Sequence, residues 1–360
     1  MKRCSKCVTP DTRPRVMFNK QGVCNACTWA EKKSSVDWDD RWLALAKLCD
    51  KHRKKDTWDV IIPCSGGKDG SYVAWRLKHD LGMHPLCITF SPPMQTEVGR
   101  KNLENFRNSG FDLIEIRPNP EVYRLLCKKM FVEQARSKFP FVIGIGTAVS
   151  QMALKMGIPF IMWGEQGEEE YGGDAKHNSH FMTYDFMTKF YHEGNDISSW
   201  DDFDKSDLQW WTLPPKKAID SLESTWWSKW EPWDDELHRE LAIEKCGLVG
   251  TPQQTGTFTT HSQVDDMMQD LLMYECFIKF GFGRATADCN LAIHAGRMTR
   301  ERGLEIVSEK DGEFPIQYLH DYLSYFGMEE WEFFDTLSQH ANMDILQRVD
   351  DPSRPYILRV

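Results

Sequence analysis

The chain has 360 residues, 41% hydrophobic and 27% charged, a composition typical of a globular protein large enough for two or three domains. Its formal net charge of −10 argues against broad nucleic-acid binding. No uninterrupted apolar stretch reaches membrane-spanning length, and the first residues lack the apolar segment of a secretory signal. We therefore expect a cytoplasmic protein with no membrane association, whose 11 cysteines bind metal or remain buried thiols.

Two Cys-x-x-Cys pairs lie near the N-terminus, Cys4 with Cys7 and Cys24 with Cys27. Four thiolates at this spacing are typical of a tetrahedral Zn²⁺ site, with the residues between the pairs forming a short hairpin that turns at 19–22. Because cysteine fills all four positions, no coordination position stays open for catalysis. We predict a structural zinc ribbon over residues 1–35; a redox pair or an iron–sulfur ligand set is the alternative.

A glycine-rich loop follows the strand-like residues 59–63 and precedes a helix-like run. The loop consists of Ser65, Gly66, Gly67, Lys68, Asp69, Gly70 and Ser71. Its glycines remove Cβ atoms, so backbone N–H groups and the positive end of the following helix can approach one anion. The serines add hydroxyl donors, Lys68 adds positive charge, and Asp69 is a candidate metal ligand. Neither the Walker spacing nor the dinucleotide-binding spacing is present.

This loop resembles the S-G-G-x-D-S signature of the PP-loop ATP pyrophosphatases, which cleave ATP between the α and β phosphates to adenylate a substrate. The resemblance implies that the loop binds ATP with Mg²⁺ and that Lys68 and Asp69 take part in catalysis. The chain departs from the signature at Gly70, where the family commonly has serine, and Ser71 follows one step later. Which hydroxyl contacts phosphate is therefore open, and a glycine-rich turn without a ligand is the alternative.

After a linking helix at 39–53, strand and helix patterns alternate. Strands are predicted at 59–63, 84–90, 113–117 and 159–163, and helices near 70–81, 97–109, 121–137 and 143–156. This order predicts an α/β domain over residues 36–192, a PP-loop (adenine nucleotide α-hydrolase-like) parallel sheet with helices on both faces and ligands at the C-terminal strand ends. The family resemblance implies that adenine lies near Thr89 and Phe90; plain packing at the strand end is the alternative.

Acidic residues and glycines follow the fourth strand. Carboxylates at this sheet edge would hold Mg²⁺ or orient the substrate, which makes Glu165 a catalytic candidate and Glu168 a substrate-binding one. Gly164 is assigned to the nucleotide site and Tyr171 to the substrate site. A solvated acidic loop is the alternative.

Residues 193–240 contain seven of the 14 tryptophans and a large excess of acidic side chains. We interpret 193–262 as an insertion with a small core of its own; docking of a partner protein or stacking on a sugar is the alternative. From Gln263 to the end the pattern is helical, with helices predicted at 285–301, 315–326 and 329–343. Arg284 and Arg297 are candidates for binding phosphate or carboxylate, with surface ion pairs as the alternative.

Taken together, the ribbon, the loop, the Gly164–Glu165 segment and the last third with Arg297 resemble the N-acetyl sugar amidotransferases of bacterial surface-glycan biosynthesis, of lipopolysaccharide O-antigen or pseudaminic–legionaminic type. The resemblance implies that ATP adenylates the acetamido oxygen of a nucleotide-linked sugar and that ammonia displaces AMP, leaving an acetamidino group. It also implies partners that supply ammonia, resembling the glutaminase and cyclase subunits of imidazole glycerol phosphate synthase. The chain has no glutaminase signature of its own.

Two other functions are open from the sequence. Some PP-loop tRNA thiolation enzymes also carry zinc ribbons, but those that use catalytic thiols place a Cys-x-x-Cys near the third and fourth strands, where residues 139–146 have no cysteine. The second is a nucleotide-binding scaffold without turnover, which would require a vestigial loop. Gly70 is the one feature that favours it.

Overall fold

A computed structural model describes residues 1–173, 179–252, 254–262 and 264–359. Gln263, the predicted start of the helical region, lies outside the described residues. The strands of the main sheet are β1 (Val60–Pro63), β2 (Pro85–Phe90), β3 (Asp112–Ile116), β4 (Phe160–Trp163) and β5 (Glu223–Trp226). All pairs in this sheet are parallel, in the order β3-β2-β1-β4-β5. The predicted parallel α/β sheet is confirmed, and the four predicted strands match β1 to β4 within one or two residues.

Helices cover both faces of this sheet. Those before β5 are α1 (Asn25–Lys32), α2 (Trp38–His52), α3 (Lys68–His79), α4 (Glu97–Asn108), α5 (Pro120–Gln134), α6 (Phe139–Met156), α7 (Gly167–Glu170), α8 (Tyr184–Phe186) and α9 (Lys216–Ile219). Those after it are α10 (Asp235–Cys246), α11 (Met267–Phe280), α12 (Arg284–His294), α13 (Arg300–Lys310), α14 (Leu319–Phe326) and α15 (Glu330–His340). A two-stranded antiparallel hairpin, β6 (Leu346–Arg348) and β7 (Tyr356–Leu358), follows α15.

The side-chain alternation of β1 divides the core into two layers. Val60 and Ile62 pack with α2 and α3 on one face, whereas Ile61 packs with α5 and α6 on the other. A strand buried on both faces must be apolar at every position, which is why 60–62 reads as an uninterrupted aliphatic run. Because the strands are parallel, their C-terminal ends meet at one edge, where the glycine-rich loop lies.

The tryptophan-rich region does not form a core of its own, so that prediction is wrong. Trp211 and Trp226 pack in the layer of α5 and α6, and Trp227 and Trp230 pack in the layer of α3. The region also contributes β5, which pairs with β4 along its whole length. Its large apolar side chains are therefore buried against the same five-stranded sheet on which the preceding helices pack.

One predicted helix in the C-terminal region is two. The pattern at 285–301 predicts a single helix, but α12 ends at His294 and α13 begins at Arg300. Gly296 lies between them with a φ of 71°, a left-handed conformation that interrupts a right-handed helix. Arg297 therefore lies in a bend and not on a helix. The helices predicted at 315–326 and 329–343 correspond to α14 and α15, each somewhat shorter.

Helix α6 is long and apolar enough to cross a membrane by length and composition, and among the described residues it alone meets that test. However, 56% of it is buried inside the protein. Ile143, Val149 and Ala153 pack in the same layer as Ile61 of the sheet. Its apolar character is thus explained by core packing.

Candidate active site

The glycine-rich loop connects β1 to α3 and leaves the start of that helix open. Gly66 has a φ of 79°, and a Cβ atom there would lie 2.6 Å from the backbone nitrogen of Leu103, so only glycine fits. Helix α3 begins at Lys68 with Gly67 as its N-cap, and no side chain caps it. The first N–H groups of the helix therefore have no intrahelical partner and point towards the cavity beyond the loop. This geometry suits a diphosphate group.

The two hydroxyl-bearing ends of the loop differ in position. Ser65 lines the cavity, whereas Ser71 is fully buried and does not. Gly70 packs against the end of β1, so that a Cβ atom there would lie 2.9 Å from the Sγ and 3.0 Å from the Cα of Cys64. The serine common at this family position does not fit this backbone. The loop therefore presents Ser65 and backbone N–H groups, and Ser71 does not replace the missing serine.

Lys68 lies at the centre of a chain of charged side chains. Its Nζ is 2.6 Å from Asp69 Oδ2 and 2.6 Å from Asp235 Oδ1. Asp69 in turn accepts a 2.9 Å hydrogen bond from His238 Nδ1, and His261 Nε2 lies 3.6 Å from Asp235 Oδ2. Burial opposes the charged forms of Lys68 and Asp69, but the two carboxylates raise the pKa of Lys68, while Lys68 and His238 lower that of Asp69. Lys68 therefore stays charged beside the loop.

Glu165 forms no ion pair with a cation among the described residues. It follows Gly164 at the end of β4, and burial together with the nearby Asp69 raises its pKa to about 7. Tyr171 donates a 3.3 Å hydrogen bond to Glu165 Oε1. A Cβ atom on Gly164 would lie 3.2 Å from the ring of Trp233, a tight contact that the ring would have to accommodate. A carboxyl group poised near neutral pH can both bind a cation and transfer a proton.

Lys68, Asp69, Glu165 and Tyr171 line one cavity of about 370 Å³. The predicted site residues that line it are Ser65, Gly67, Lys68, Asp69, Gly70, Gly164, Glu165, Tyr171 and Arg284. Further lining residues come from the segment between α10 and α11 and from α11, among them His261, Ser262 and Gln269. The guanidinium of Arg284 is held by Asp288, 2.7 Å away, and its buried Nε has no hydrogen-bond partner among the described residues.

Other predicted site residues lie elsewhere. The side chains of Thr89 and Phe90 are buried at the end of β2, and Phe90 packs edge-to-face on Tyr123 and Trp211. Packing explains both side chains, and neither lines the cavity. Gly66 and Ser71 support the loop from behind it. Adenine recognition by the backbone after β2 stays a prediction.

Glu168 and Arg297 also lie outside this cavity. Glu168 forms a bidentate pair with Arg15 of the ribbon, at 2.6 and 3.2 Å, and lines an adjoining cavity. The two acidic residues that follow it also pair with cations, Glu169 with Lys229 and Glu170 with Lys33. The acidic run is therefore an ion-paired contact and not a solvated loop. Arg297 pairs with Asp234 at 2.9 Å near the surface, as the ion-pair alternative expected.

The donor set at the loop fits Mg²⁺. Asp69 and Glu165 supply carboxylate oxygens on neighbouring walls of the cavity, and hard divalent cations prefer oxygen ligands. The phosphates of a bound nucleotide would supply the remaining negative charge. Glu168 is not part of this set, because it lines the adjoining cavity and not this one.

The four N-terminal cysteines form a buried cluster. Their sulfur atoms all lie within 4.8 Å of one another, with Cys4 3.8 Å from Cys27 and Cys7 3.6 Å from Cys24. Sulfurs on the corners of a tetrahedron around Zn²⁺, at about 2.3 Å from the metal, would be about 3.8 Å apart. The four-cysteine cluster thus fits Zn²⁺. The hairpin between the two Cys-x-x-Cys pairs turns at Gly22, whose φ is 73°. His294 of α12 brings its Nε2 within 3.2 Å of Cys27 Sγ.

The sequence did not predict that the tryptophan-rich region brings polar residues to the glycine-rich loop. Asp235 and His238 come from the first two turns of α10, and His261 from the segment after it. The acidic run at 234–236 indicates a helix start, and Asp234 does cap α10. Nothing in the spacing, however, relates that helix to Lys68, more than 160 residues earlier in the chain.

The last third of the chain is similar to a known protein family. Residues 255–353 match the family model of the LPS biosynthesis protein WbpG-like, C-terminal domain. The matched segment, which is similar to that C-terminal domain, includes His261, Gln269 and Arg284 of the cavity wall. The glycine-rich loop and the ribbon lie outside the matched residues.

Two further comparisons are less informative. No curated protein matches the chain. Among solved structures, it is similar to a protein from Methanocaldococcus jannaschii described as a predicted subunit of tRNA methyltransferase, with 14% identity and a TM-score of 0.31. The alignment covers 61% of this chain and 87% of that one. Similarity of this size does not distinguish between functions.

Proposed function

We propose that the protein is an ATP-dependent amidotransferase of bacterial surface-glycan biosynthesis, which releases AMP and diphosphate. Its substrate would be a nucleotide-activated sugar whose acetamido group becomes an acetamidino group. One observation carries the proposal: the glycine-rich loop and the WbpG-like segment line the same cavity. A loop suited to a diphosphate and a domain of a lipopolysaccharide-biosynthesis family thus meet at one site.

The loop residues explain how ATP would be held. The uncapped start of α3 and the hydroxyl of Ser65 would bind the β and γ phosphates, with Lys68 neutralising charge that accumulates on the leaving diphosphate. Mg²⁺, held by Asp69 and Glu165, would supply further charge neutralisation when bound. Asp235 keeps Lys68 in place from the side opposite the loop. Positioning and electrostatics of this kind need no protein nucleophile.

The first half-reaction activates a poor leaving group. The acetamido oxygen attacks the α phosphorus of ATP, the bond to the bridging oxygen of the β phosphate breaks, and diphosphate leaves. The oxygen now carries AMP and can depart with it as a phosphate monoester. Arg284 lines the cavity, and its buried Nε has no hydrogen-bond partner among the described residues, so this side chain would bind an oxygen of the intermediate.

The second half-reaction replaces that oxygen by nitrogen. Ammonia attacks the amide carbon, its proton passes to a base, and AMP leaves with the former amide oxygen. Glu165 lines the cavity and would act as this base only when it is not binding Mg²⁺. Ammonia would come from partner subunits resembling a glutaminase and its cyclase-like channel, in the cytoplasm where nucleotide sugars are made.

The test is incubation of the pure protein with ATP, Mg²⁺, an ammonium salt and a diacetamido uronic-acid nucleotide. We expect AMP, diphosphate and a sugar product lighter by the mass difference between O and NH. The Lys68→Gln variant should lose AMP formation, whereas Lys78→Gln on the exposed side of α3 should keep it.

Three results would contradict the proposal. Release of ADP in place of AMP would exclude cleavage between the α and β phosphates. AMP formation that depends on added tRNA, and not on nucleotide sugars, would favour the tRNA-modifying alternative. ATP binding without any turnover under all of these conditions would favour the scaffold alternative.

A further inference from the structure

A second cavity of about 420 Å³ adjoins the first and has a different character. Val142, Glu165 and Tyr191 line both cavities, so the second one borders the proposed reaction centre. Its other walls come from the ribbon and from α6 and α11. Because the ribbon forms one wall, the zinc-binding segment is part of the site and not a separate appendage.

Four cationic side chains line this second cavity, and one of them is unpaired. Arg15 pairs with Glu168, Arg136 pairs with Glu193, and Lys279 donates to the backbone carbonyls of Gln134 and Ala135 at 3.0 and 2.8 Å. The fourth is Arg13. No hydrogen bond or ion pair joins its guanidinium to any residue in the described part of the chain.

The contacts that Arg13 does make are aromatic. Its guanidinium lies 5.1 Å from the ring centre of Phe282 and 5.8 Å from that of Tyr171. Burial lowers its pKa, and a buried charge without a hydrogen-bonding partner is costly. Its donors nevertheless line an open cavity. A guanidinium stacked in this way is fixed in orientation and offers paired N–H donors, which match a carboxylate or a phosphate.

Backbone strain is concentrated around the same cavity. Among the described residues, the only non-glycine residues with positive φ are Arg15, Ala135 and Glu193, at 65°, 45° and 48°. Arg15 and Glu193 line the cavity, and the Ala135 carbonyl accepts the hydrogen bond from Lys279. Left-handed backbone in such residues costs on the order of 1 kcal/mol each and is typical of functional sites. The left-handed backbone at these residues fixes the positions of the cationic side chains in this wall of the cavity.

We propose that this cavity binds an anionic group of the sugar substrate, with Arg13 as its bidentate partner. The inference rests on the proposed function and adds the substrate's charge to it. The anion has two possible sources, a carboxylate on the sugar ring or the diphosphate of the nucleotide carrier. Either one, once bound at Arg13, would direct the acetamido group towards Glu165 and the adjoining cavity.

The test is direct binding without ATP, measured by calorimetry on the full zinc-loaded chain. The probes are UDP-N-acetylglucosaminuronate, which carries both anions, and UDP-N-acetylglucosamine, which carries the diphosphate alone. We compare the native protein with Arg13→Met, which keeps the stacking volume, and with Arg13→Lys, which keeps the charge. Arg107→Met is the matched control, because Arg107 is exposed on α4 with a loose 3.9 Å pair to Glu104.

Loss of a charge-assisted bidentate contact should weaken binding by roughly 10- to 100-fold in Arg13→Met. Weakening with the uronate alone assigns Arg13 to the carboxylate, and weakening with both probes assigns it to the diphosphate. Arg13→Lys should retain part of the affinity, and Arg107→Met all of it. Zinc content and melting temperature show that each variant is folded; if Arg13→Met is not, Arg13→Lys alone should still weaken binding.

The inference is overturned if the folded Arg13 variants bind both probes as tightly as the native protein, or if the native protein binds neither at millimolar concentration. Its failure is distinct from that of the proposed function. Binding of the anion by Arg13 together with ADP release would leave the inference standing and remove the amidotransferase proposal. Formation of AMP at the native rate by Arg13→Met, with unchanged KM for the sugar, would leave the amidotransferase proposal standing and remove the inference about Arg13.

Discussion

Gly70 in the glycine-rich loop packs directly on Cys64 at the end of β1. A Cβ atom on Gly70 would lie 2.9 Å from the Sγ, 3.0 Å from the Cα and 3.1 Å from the Cβ of Cys64. Two of these three atoms cannot move without moving the strand. The contact explains why the chain departs from the PP-loop signature at this residue, and it argues that glycine is a packing requirement here and not a sign of a vestigial loop.

We therefore expect Gly70→Ala to destabilise the protein, although alanine is ordinarily the better helix residue by up to about 1 kcal/mol. Overpacking against Cys64 should cost about 1–3 kcal/mol and outweigh that gain. Gly167→Ala is the matched control, since a Cβ atom there meets only the Cδ2 of Tyr171, at 3.8 Å. Urea unfolding of both variants measures the difference. Equal stability of the two variants would show that the loop relaxes freely at Gly70.

Much of the fold and part of the site follow from local sequence. The strand and helix alternation predicts β1 to β4 because each element carries its own periodicity. The Cys4 and Cys24 pairs predict the metal cluster because their spacing alone determines the geometry. The loop at Lys68 is recognisable for the same reason. In each case, the residues that define the feature are close together in the chain.

Features that depend on contacts between distant segments were not predictable in this way. Asp235 reaches Lys68 only because β5 joins the sheet and brings α10 onto α3. Trp211 and Trp226 pack on the common core, although their concentration in one segment suggested a separate one. Arg13 is one of several ribbon cations, and only the fold shows that it lacks an anionic partner among the described residues while the nearby Arg15 has one.

The pairing of Lys68 with Asp235 leads to a second prediction. Asp235→Asn should lower kcat/KM for ATP by on the order of 10-fold, because it removes one of the two carboxylates that hold the Lys68 ammonium. Asp234→Asn is the control, since asparagine also caps helices and Asp234 pairs only with Arg297. AMP formation at varied ATP concentration measures both. An equal loss in the two variants would indicate general damage to α10.

His294 is expected to help retain zinc. Its Nε2 lies 3.2 Å from Cys27 Sγ, close enough to donate to the thiolate and stabilise its charge. His294→Ala should keep one zinc per chain but release it roughly 10-fold faster to a chelator. His320→Ala on the exposed side of α14 is the control. Release is followed with a colorimetric zinc indicator, and unchanged release from His294→Ala would contradict the prediction.

Trp211 should contribute to the stability of the whole chain. It is 2% exposed, donates a 2.8 Å hydrogen bond to the Pro140 carbonyl and packs on Phe90 of the sheet. Trp211→Ala should cost about 3–5 kcal/mol in a single cooperative transition. Trp331→Ala, at a residue that is 70% exposed, should cost little. A separate, early transition in Trp211→Ala would instead mean that the tryptophan-rich region unfolds independently.

Stability should depend on pH through Glu275 of α11. Burial raises its pKa from 4.5 to about 7, against the opposing effects of Lys279 and of hydrogen bonds from Ser137. Because the folded state binds the proton more tightly than the unfolded state, this contribution is fully present below pH 4.5 and is lost as the pH rises through 7.

Glu275→Gln, which cannot ionise, should therefore be more stable than the native protein at pH 8, by up to about 3 kcal/mol. The advantage should shrink towards pH 5. Denaturant unfolding at both pH values measures it, with exposed Glu104→Gln as the control. A Glu275→Gln variant less stable than the native protein at pH 8 would show that the carboxylate is the form that the fold requires.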